Sequence, residues 1–311
     1  MIRKYYEDLT FYQRRLKPYE KRRFRDYIQK QALDLGLKIS VYPDRSVYKN
    51  LIIGDLRNAK YVICAHYDTA PKLPMVIERN YAFCHKTLEI ISLILAFGLL
   101  VGFYFLNLLW AGILSFVVFL YGYLKIAGIL GSSRRFSYNN NTSGIITVLH
   151  LMSEYRDFNG DVAYVFIDNR NKGLAGSKAL FKMMQEQRMI VEKEDKKFIF
   201  FDCVGIGTNF SISCYRETKF VDKLKDLFLS KEDEKYTVTL KEDSKTDVND
   251  YLSFKRFDHA SITCFKKSRK NKFSQKDIKP KNDISIDLKN IEFLANIIKE
   301  YIEKEETNAR K

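Results

Sequence analysis

Residues Ile90–Leu124 read IISLILAFGLLVGFYFLNLLWAGILSFVVFLYGYL, about 35 positions without a charged side chain, bounded by Glu89 and Lys125. A hydrocarbon layer about 30 Å thick is crossed by roughly 20 apolar helical residues at about 1.5 Å each. One crossing leaves apolar residues over, whereas two short crossings fit with a tight turn between them. Asn107, the most polar residue in the middle of the run, puts that turn at Phe105–Leu108. The expected spans are Leu88–Leu106 and Leu108–Leu130. The competing reading, a helix pair inside a soluble core, requires a polar face that neither half possesses. Gly98, Gly102, Gly112 and Gly122 suit close helix–helix approach, with Gly98 and Gly102 in small-xxx-small spacing.

Outward from this hairpin, the chain divides into residues 1–87 and 131–311, expected to be two parts of one domain around an insertion at 88–130. The formal charge of the 311 residues is +15. Arg14, Arg15, Lys17, Lys21, Arg22, Arg23 and Arg25 crowd the N-terminal segment, and Arg134 and Arg135 follow the second span. Basic flanks with none in the turn place both ends, and the soluble domain, on the cytoplasmic side of the cell membrane. The same charges are expected to hold the domain against an anionic leaflet, at about 1 kcal/mol each near the surface. Nucleic acid ranks lower as a partner, since no recognition motif is present and acidic residues interleave the basic ones. Cys64, Cys84, Cys203, Cys214 and Cys264 are odd in number and scattered, which fits reduced cytosolic thiols. The opening MIRKYYEDLTFYQRR is charged throughout and does not read as a signal peptide, so the hairpin is expected to direct membrane targeting.

Elsewhere helices and short apolar strands alternate. Lys17–Leu35 carries one apolar stripe (Phe24, Tyr27, Ile28, Ala32, Leu35) and stops at Gly36. Tyr48–Ile53 and Tyr61–Ala65 predict strands before the hairpin. After it come a helix from Ser143 to about Tyr155, capped by Asn141 or Thr142, and a buried strand Val162–Ile167. A helix near Leu174–Gln187, a strand Phe198–Phe201, a helix Thr218–Leu229 and a short strand Thr237–Leu240 follow. Strand Ala260–Phe265 and helix Ile286–Glu303, capped by Ser285, complete the pattern. This alternation predicts an α/β fold, a three-layer αβα sandwich around a mostly parallel, mixed sheet.

In such sheets ligands bind beyond the carboxyl ends of the strands. Polar clusters stand there at His66-Tyr67-Asp68, at Asp168-Asn169-Arg170-Asn171 and at Asp202, with a further polar loop at Asn139–Gly144. A histidine with aspartate two residues on is a metal ligand with an orienting carboxylate in some sites and an ordinary loop in many more.

Five segments, in order, resemble the zinc-dependent aminopeptidases of the MH clan, the aminopeptidase Y and aminopeptidase S group. Tyr61-Val-Ile-Cys-Ala-His66-Tyr-Asp68 is similar to the family's strand and HxD motif, and Asn140-Asn-Thr-Ser-Gly144 to its Asp-Asn-x-Ser-Gly loop. Arg170-Asn-Lys-Gly-Leu-Ala-Gly-Ser177 is similar to Glu-Glu-x-Gly-Leu-x-Gly-Ser. Asp202-Cys-Val-Gly205 resembles Asp-x-x-Gly, and Asp250-Tyr-Leu-Ser-Phe254 the late Ser-Asp-His-x-x-Phe region. The resemblance implies a di-zinc site with a glutamate general base. Carried over, His66, its companion Asp68 and Asp202 keep the family's residue types. The bridging aspartate falls on Asn140, the base on Arg170 and the second-zinc glutamate on Asn171. A final histidine is expected after Ala260–Phe265, where the sequence is Lys266-Lys-Ser-Arg269.

Charge then decides the expectation. Two zinc ions bring four positive charges, and a guanidinium at the base position accepts no proton at neutral pH. The resemblance therefore implies a membrane-anchored pseudopeptidase with no cofactor, serving as a binding or scaffold module for a peptide or another membrane protein, as metal-free members of the family do. The alternative is an active metallo-exopeptidase with a rearranged or single-zinc site on His66 and Asp202. Asp168 is out of register for the base, His259 is read as a loop residue, His150 as a boundary histidine and His85 as lying at the headgroup level beside the first span.

Overall fold

The computed structural model describes every residue except 47, 73–74, 127–129, 131–132, 134, 155–159, 190–195, 232–235, 243–248, 267–282 and 310–311. Within the helical residues 75–86 only the backbone path is described. Eight strands form one sheet: β1 (Ile39–Tyr42), β2 (Asn50–Ile53), β3 (Tyr61–His66), β4 (Val162–Ile167), β5 (Lys197–Phe201), β6 (Asn209–Cys214), β7 (Thr237–Glu242) and β8 (Asp258–Phe265). Their spatial order is β1-β2-β4-β3-β5-β8-β6-β7. The centre, β4-β3-β5-β8, is parallel, while β2 runs antiparallel to β4 and β6 antiparallel to β8. Strands from both sides of the hairpin thus interleave, since β3 lies between β4 and β5.

Alternation along the central strands explains why both sheet faces are covered. Tyr61, Ile63 and Ala65 of β3, with Tyr164 and Phe166 of β4 and Ile199 and Phe201 of β5, enter one apolar cluster. It is completed by α1 (Ile2–Leu9), α2 (Pro18–Asp34), α5 (Ser143–Glu154), α7 (Lys219–Ser230) and α8 (Leu288–Ala309). Val62 and Cys64, Ala163, Val165 and Ile167, and Phe198 and Phe200 enter the other, beneath α6 (Ala175–Glu186) and the short helical turn Asp250–Phe254. This is the αβα sandwich with a mixed sheet that the alternation of elements predicts. β1, β6 and α1 escape the sequence pattern. β1 is half exposed, and α1 buries only Tyr5 and Leu9. Helix α8 begins two residues later than expected and its first amide pairs are held by Asp287, not Ser285: Lys289 N donates to Asp287 Oδ1 at 3.0 Å.

The apolar run forms α3 (Met75–Phe105) and α4 (Leu109–Ile126), packed as a hairpin. Helix α3 starts well before Leu88 because its first turns are helical ahead of the apolar stretch. Residues 127–129, at the expected end of the second span, lie outside the described residues. The turn falls where Asn107 placed it. Asn107 is left-handed (φ 56°), and Leu108 N reaches Phe103 O at 2.9 Å while Asn107 N reaches Tyr104 O at 3.1 Å, closing α3 as a Schellman motif.

The glycines need correcting. Gly98 and Gly102 meet nothing within 4 Å, whereas a Cβ at Gly112 would lie 3.1 Å from Phe103 Cβ and 3.2 Å from Leu100 O. The close approach is made at Gly112 alone. Gly112→Val is accordingly expected to loosen the hairpin, lowering the unfolding temperature of the detergent-solubilised chain by several degrees. Gly98→Val and Gly102→Val should leave it unchanged, and equal effects from all three would contradict this packing.

Candidate functional site

The carboxyl ends of β3, β4 and β5 bring His66, the 168–171 loop and Asp202 together, and the 139–144 loop packs against them. Gly176 explains part of this register. A Cβ there would lie 2.0 Å from Asp168 O, so only glycine lets α6 start against the end of β4.

Arg170 occupies the middle of the cluster. Its guanidinium is buried and forms a two-pronged pair with Asp202, Nη2 donating to Oδ2 at 2.5 Å and Nη1 to Oδ1 at 3.3 Å. Nη1 also lies 3.5 Å from His66 Nε2, and Nε lies 3.8 Å from Asp250 Oδ2. Burial alone pushes the guanidinium pKa down, but the surrounding carboxylates Asp202, Asp250 and Asp68 outweigh it and hold the group above the usual arginine value.

The remaining polar groups are engaged in holding loops. Asp68 accepts from the backbone N–H of Arg170 (2.9 Å) and of Asn171 (3.1 Å), and from Asn171 Nδ2 (3.1 Å). Its carboxylate fastens the 170–171 turn, where the sequence suggested a carboxylate orienting His66. Asn141, expected as a cap within the family-like 140–144 loop, is a hub. Its Oδ1 accepts from Gly144 N and Cys203 N, and its Nδ2 donates to Phe201 O at 2.8 Å and lies 3.3 Å from His66 Nδ1. Asn140 presents its Oδ1 to Cys203 Sγ at 3.6 Å, and that thiol also reaches Asp202 Oδ1 at 3.1 Å. Asp283, which drew no attention in the sequence, accepts the N–H groups of Asn139 and Asn140.

Asp168 is fully buried and tied elsewhere. It is paired with the Lys21 ammonium and accepts from Lys49 N at 3.1 Å, while Lys21 also donates to Asn169 Oδ1 at 2.5 Å. Lys21 is therefore not available to an anionic leaflet, as the sequence led one to expect of the N-terminal basic residues, and neither is the fully buried Arg15. His259 is a strand residue of β8, not a loop residue. Its Nε2 accepts from Tyr215 N at 3.0 Å, and its ring stacks on Tyr251. His150 is a boundary histidine on α5, 4.0 Å from Glu154, with its pKa lowered by burial. His85 lies on α3, and nothing of its side chain is described. Of the segment expected to carry the family's final histidine, 267–269 lie outside the described residues.

Asp250, which opens the last of the family-like segments but had no role assigned to it, proves to be a site residue. It is buried beside Arg170, and burial pushes its pKa up to about 7 against the opposing pull of the guanidinium. Its folded value lies above the unfolded one, so the folded chain binds the extra proton and this group's contribution to stability falls as pH rises from about 4 to 7. Each tenfold displacement in proton affinity is worth about 1.4 kcal/mol. The stability of wild type minus that of Asp250→Asn should therefore decline across this window in denaturant titrations. A flat difference would contradict the assignment.

These donors do not fit a zinc pair. Zinc ligands stand about 2.0–2.3 Å from the ion, and the position between His66 Nε2 and Asp202 Oδ1 is taken by Arg170 Nη1. Among the described residues no three histidine, cysteine or acidic side chains converge as a ligand set.

With the sheet order and the site in place, comparison with solved structures identifies the architecture. LapB of Legionella pneumophila superposes with a TM-score of 0.62 at 11% identity, covering 97% of this chain and 70% of that one. The LapA aminopeptidase of the same organism gives 0.59 at 12%, covering 96% and 68%. Porphyromonas gingivalis glutaminyl cyclase gives 0.58 at 12%, covering 92% and 90%. The fold is of the aminopeptidase type. No family model matches the sequence, and no curated protein does. At this identity the aminopeptidase-type likeness concerns the fold, which glutaminyl cyclase shares with a different chemistry, so the residues of the cleft must speak for its function.

Proposed function

We propose that this chain is a membrane-anchored, degenerate member of the MH-clan aminopeptidases that cleaves no peptide bond and serves as a binding or scaffold module. One observation carries the reading: Arg170 Nη1 stands between Asp202 Oδ1 and His66 Nε2, where the single-metal alternative would need its ion. The guanidinium is a permanent cation, neutralises the carboxylates that a metal would have neutralised, and cannot take a proton from water. Losing a general base alone costs about 10²–10⁴-fold in rate. The side chains at the bridging and second-zinc positions, Asn140 and Asn171, are neutral amides. No hydrolysis of aminoacyl chromogens is expected from the purified full-length chain with added zinc. Chelator-sensitive hydrolysis that His66→Ala abolishes would replace this reading with the metallo-exopeptidase.

The anchor is supported by the hairpin surface. The apolar windows Thr87–Phe105 and Leu109–Ile126 are only 6% and 11% buried, and Trp110 and Phe105 are 82% and 77% exposed. A soluble helix pair would hide this surface. Full-length protein should stay with membranes through alkaline carbonate washing, and release into the supernatant would refute the anchor. The basic flanks favour a cytoplasmic domain with both termini on that side, which a reporter fused after Lys311 tests by its accessibility. The partner is proposed as a peptide terminus or a second membrane protein packing on the hairpin.

A further inference from the structure

At the foot of the hairpin the chain builds a second site, away from the Arg170 cleft. Pro71, leading into the hairpin, bridges Ser133, on the way out. The returning segment is then stitched to the N-terminal segment. Ser133 Oγ donates to Glu20 Oε1 at 3.4 Å, Ser137 N donates to Gln13 Oε1 at 3.0 Å, and Ser137 Oγ donates to Gln13 O at 2.6 Å. Between the two segments lies a cavity of about 310 Å³. This is at the small end of the range for ligand pockets, about 300–1,000 Å³.

Three arginines from separate stretches converge on it: Arg14 before α2, Arg23 within α2, and Arg135 after the hairpin. All three are exposed, and among the described residues none of them is in an ion pair. The guanidinium of Arg23 stacks on Tyr12 (5.9 Å) and that of Arg135 on Phe136 (5.2 Å), which steadies both groups and leaves their edge N–H donors open. The one acidic residue in its lining, Glu20, is held in place by hydrogen bonds: its Oε2 accepts from the backbone of Leu16 and Lys17, both at 3.0 Å. The cavity therefore sets three cations against one carboxylate, a net charge of about +2 that favours an anion. Its rim adds exposed aromatic rings, Phe11 at 77%, Tyr19 at 59% and Phe136 at 36%. Arginines with exposed aromatics beside an apolar helix pair form the pattern of a membrane interface, where rings sit among headgroups and cations meet phosphate.

We infer that this cavity binds the phosphate of an anionic phospholipid, with Arg14, Arg23 and Arg135 as its ligands. The lipid as source rests on the hairpin being a membrane anchor, while the anion preference rests on the cavity alone. The test uses the full-length chain in uncharged detergent, titrated with short-chain phosphatidylglycerol, short-chain phosphatidylcholine, inorganic phosphate or a short oligonucleotide, with binding followed by thermal shift. Phosphatidylglycerol should bind about 100-fold more tightly than phosphatidylcholine. Each Arg→Gln substitution should weaken it about fivefold, and the triple variant about 100-fold, to the phosphatidylcholine level. Lys182→Gln, an exposed side chain on α6, should change nothing. Indifference to headgroup charge, or wild-type binding by the triple variant, overturns the site, even in a chain that resists carbonate extraction. Binding of inorganic phosphate or the oligonucleotide as tight as that of the lipid overturns the lipid assignment.

Discussion

Arg170→Ala is expected to cost about 3–5 kcal/mol of folding stability at neutral pH, the usual penalty for stranding the partner of a buried ion pair. Asp202 would lose both prongs of its pair, and Asp250 its nearest cation. The second half of the expectation is diagnostic. Removing the guanidinium frees the position between Asp202 and His66, the two ligands of the single-zinc alternative, so zinc should raise the unfolding temperature of Arg170→Ala and leave wild type unmoved. A ligand at 100 times its Kd stabilises by about 2.7 kcal/mol, enough to restore much of the loss. If the variant is as stable as wild type, Arg170 is not the cation that holds this cleft together.

Arg15→Ala is expected to be comparably damaging, at about 3–5 kcal/mol, although the sequence presents Arg15 as one cation in a basic run. It is fully buried and ties three segments: Nε donates to Tyr67 O (2.5 Å), Nη1 to Tyr12 O (2.6 Å), and Nη2 to Ser137 Oγ (3.2 Å) and Thr142 Oγ1 (3.1 Å). It thereby joins the N-terminal segment to the loop after β3 and to the chain returning from the hairpin. Each hydrogen bond from a charged donor contributes about 1.5–3 kcal/mol, and the buried carbonyl of Tyr67 would lose this partner, while the Ser137 and Thr142 hydroxyls keep theirs on Gln13. Burial brings its pKa down to about 10, so the group stays charged at neutral pH and the loss is not a titration effect. Arg15→Lys should fail to rescue, because one ammonium cannot reach acceptors that a planar fork serves from several sides. Urea titrations of both variants check this, and wild-type stability in either would contradict it.

What could be read from the sequence follows from where the information lies. The apolar run, its turn at Asn107 and the strands Tyr61–His66 and Val162–Ile167 were legible because burial on every side leaves a continuous apolar record. β6 was not: Asn209, Ser211 and Ser213 alternate with apolar residues in a pattern as polar as a loop. The cleft was legible where order and spacing preserve motifs, which is how His66, Arg170 and Asp202 came to be singled out together. The role of Asp250, although its segment matched a motif, and the whole of Asp283 were hidden because their partners lie about 80 and 140 positions away, at Arg170 and at Asn139–Asn140. Lys21 and Arg15 were misplaced for a related reason. A stretch of basic residues reads as a surface for an anionic leaflet, and nothing local reveals that Asp168 and the carbonyl of Tyr67 wait for two of them.

The claim on which the functional reading turns is that a guanidinium holds the place of the metals. Zinc bound to purified full-length wild-type protein, measured by plasma mass spectrometry after dialysis against a zinc buffer, addresses it most directly. With Arg170 in the cleft, the chain should retain well below about one zinc ion, and Arg170→Ala should retain more. About two zinc ions per wild-type chain, lost together on His66→Ala, would contradict it.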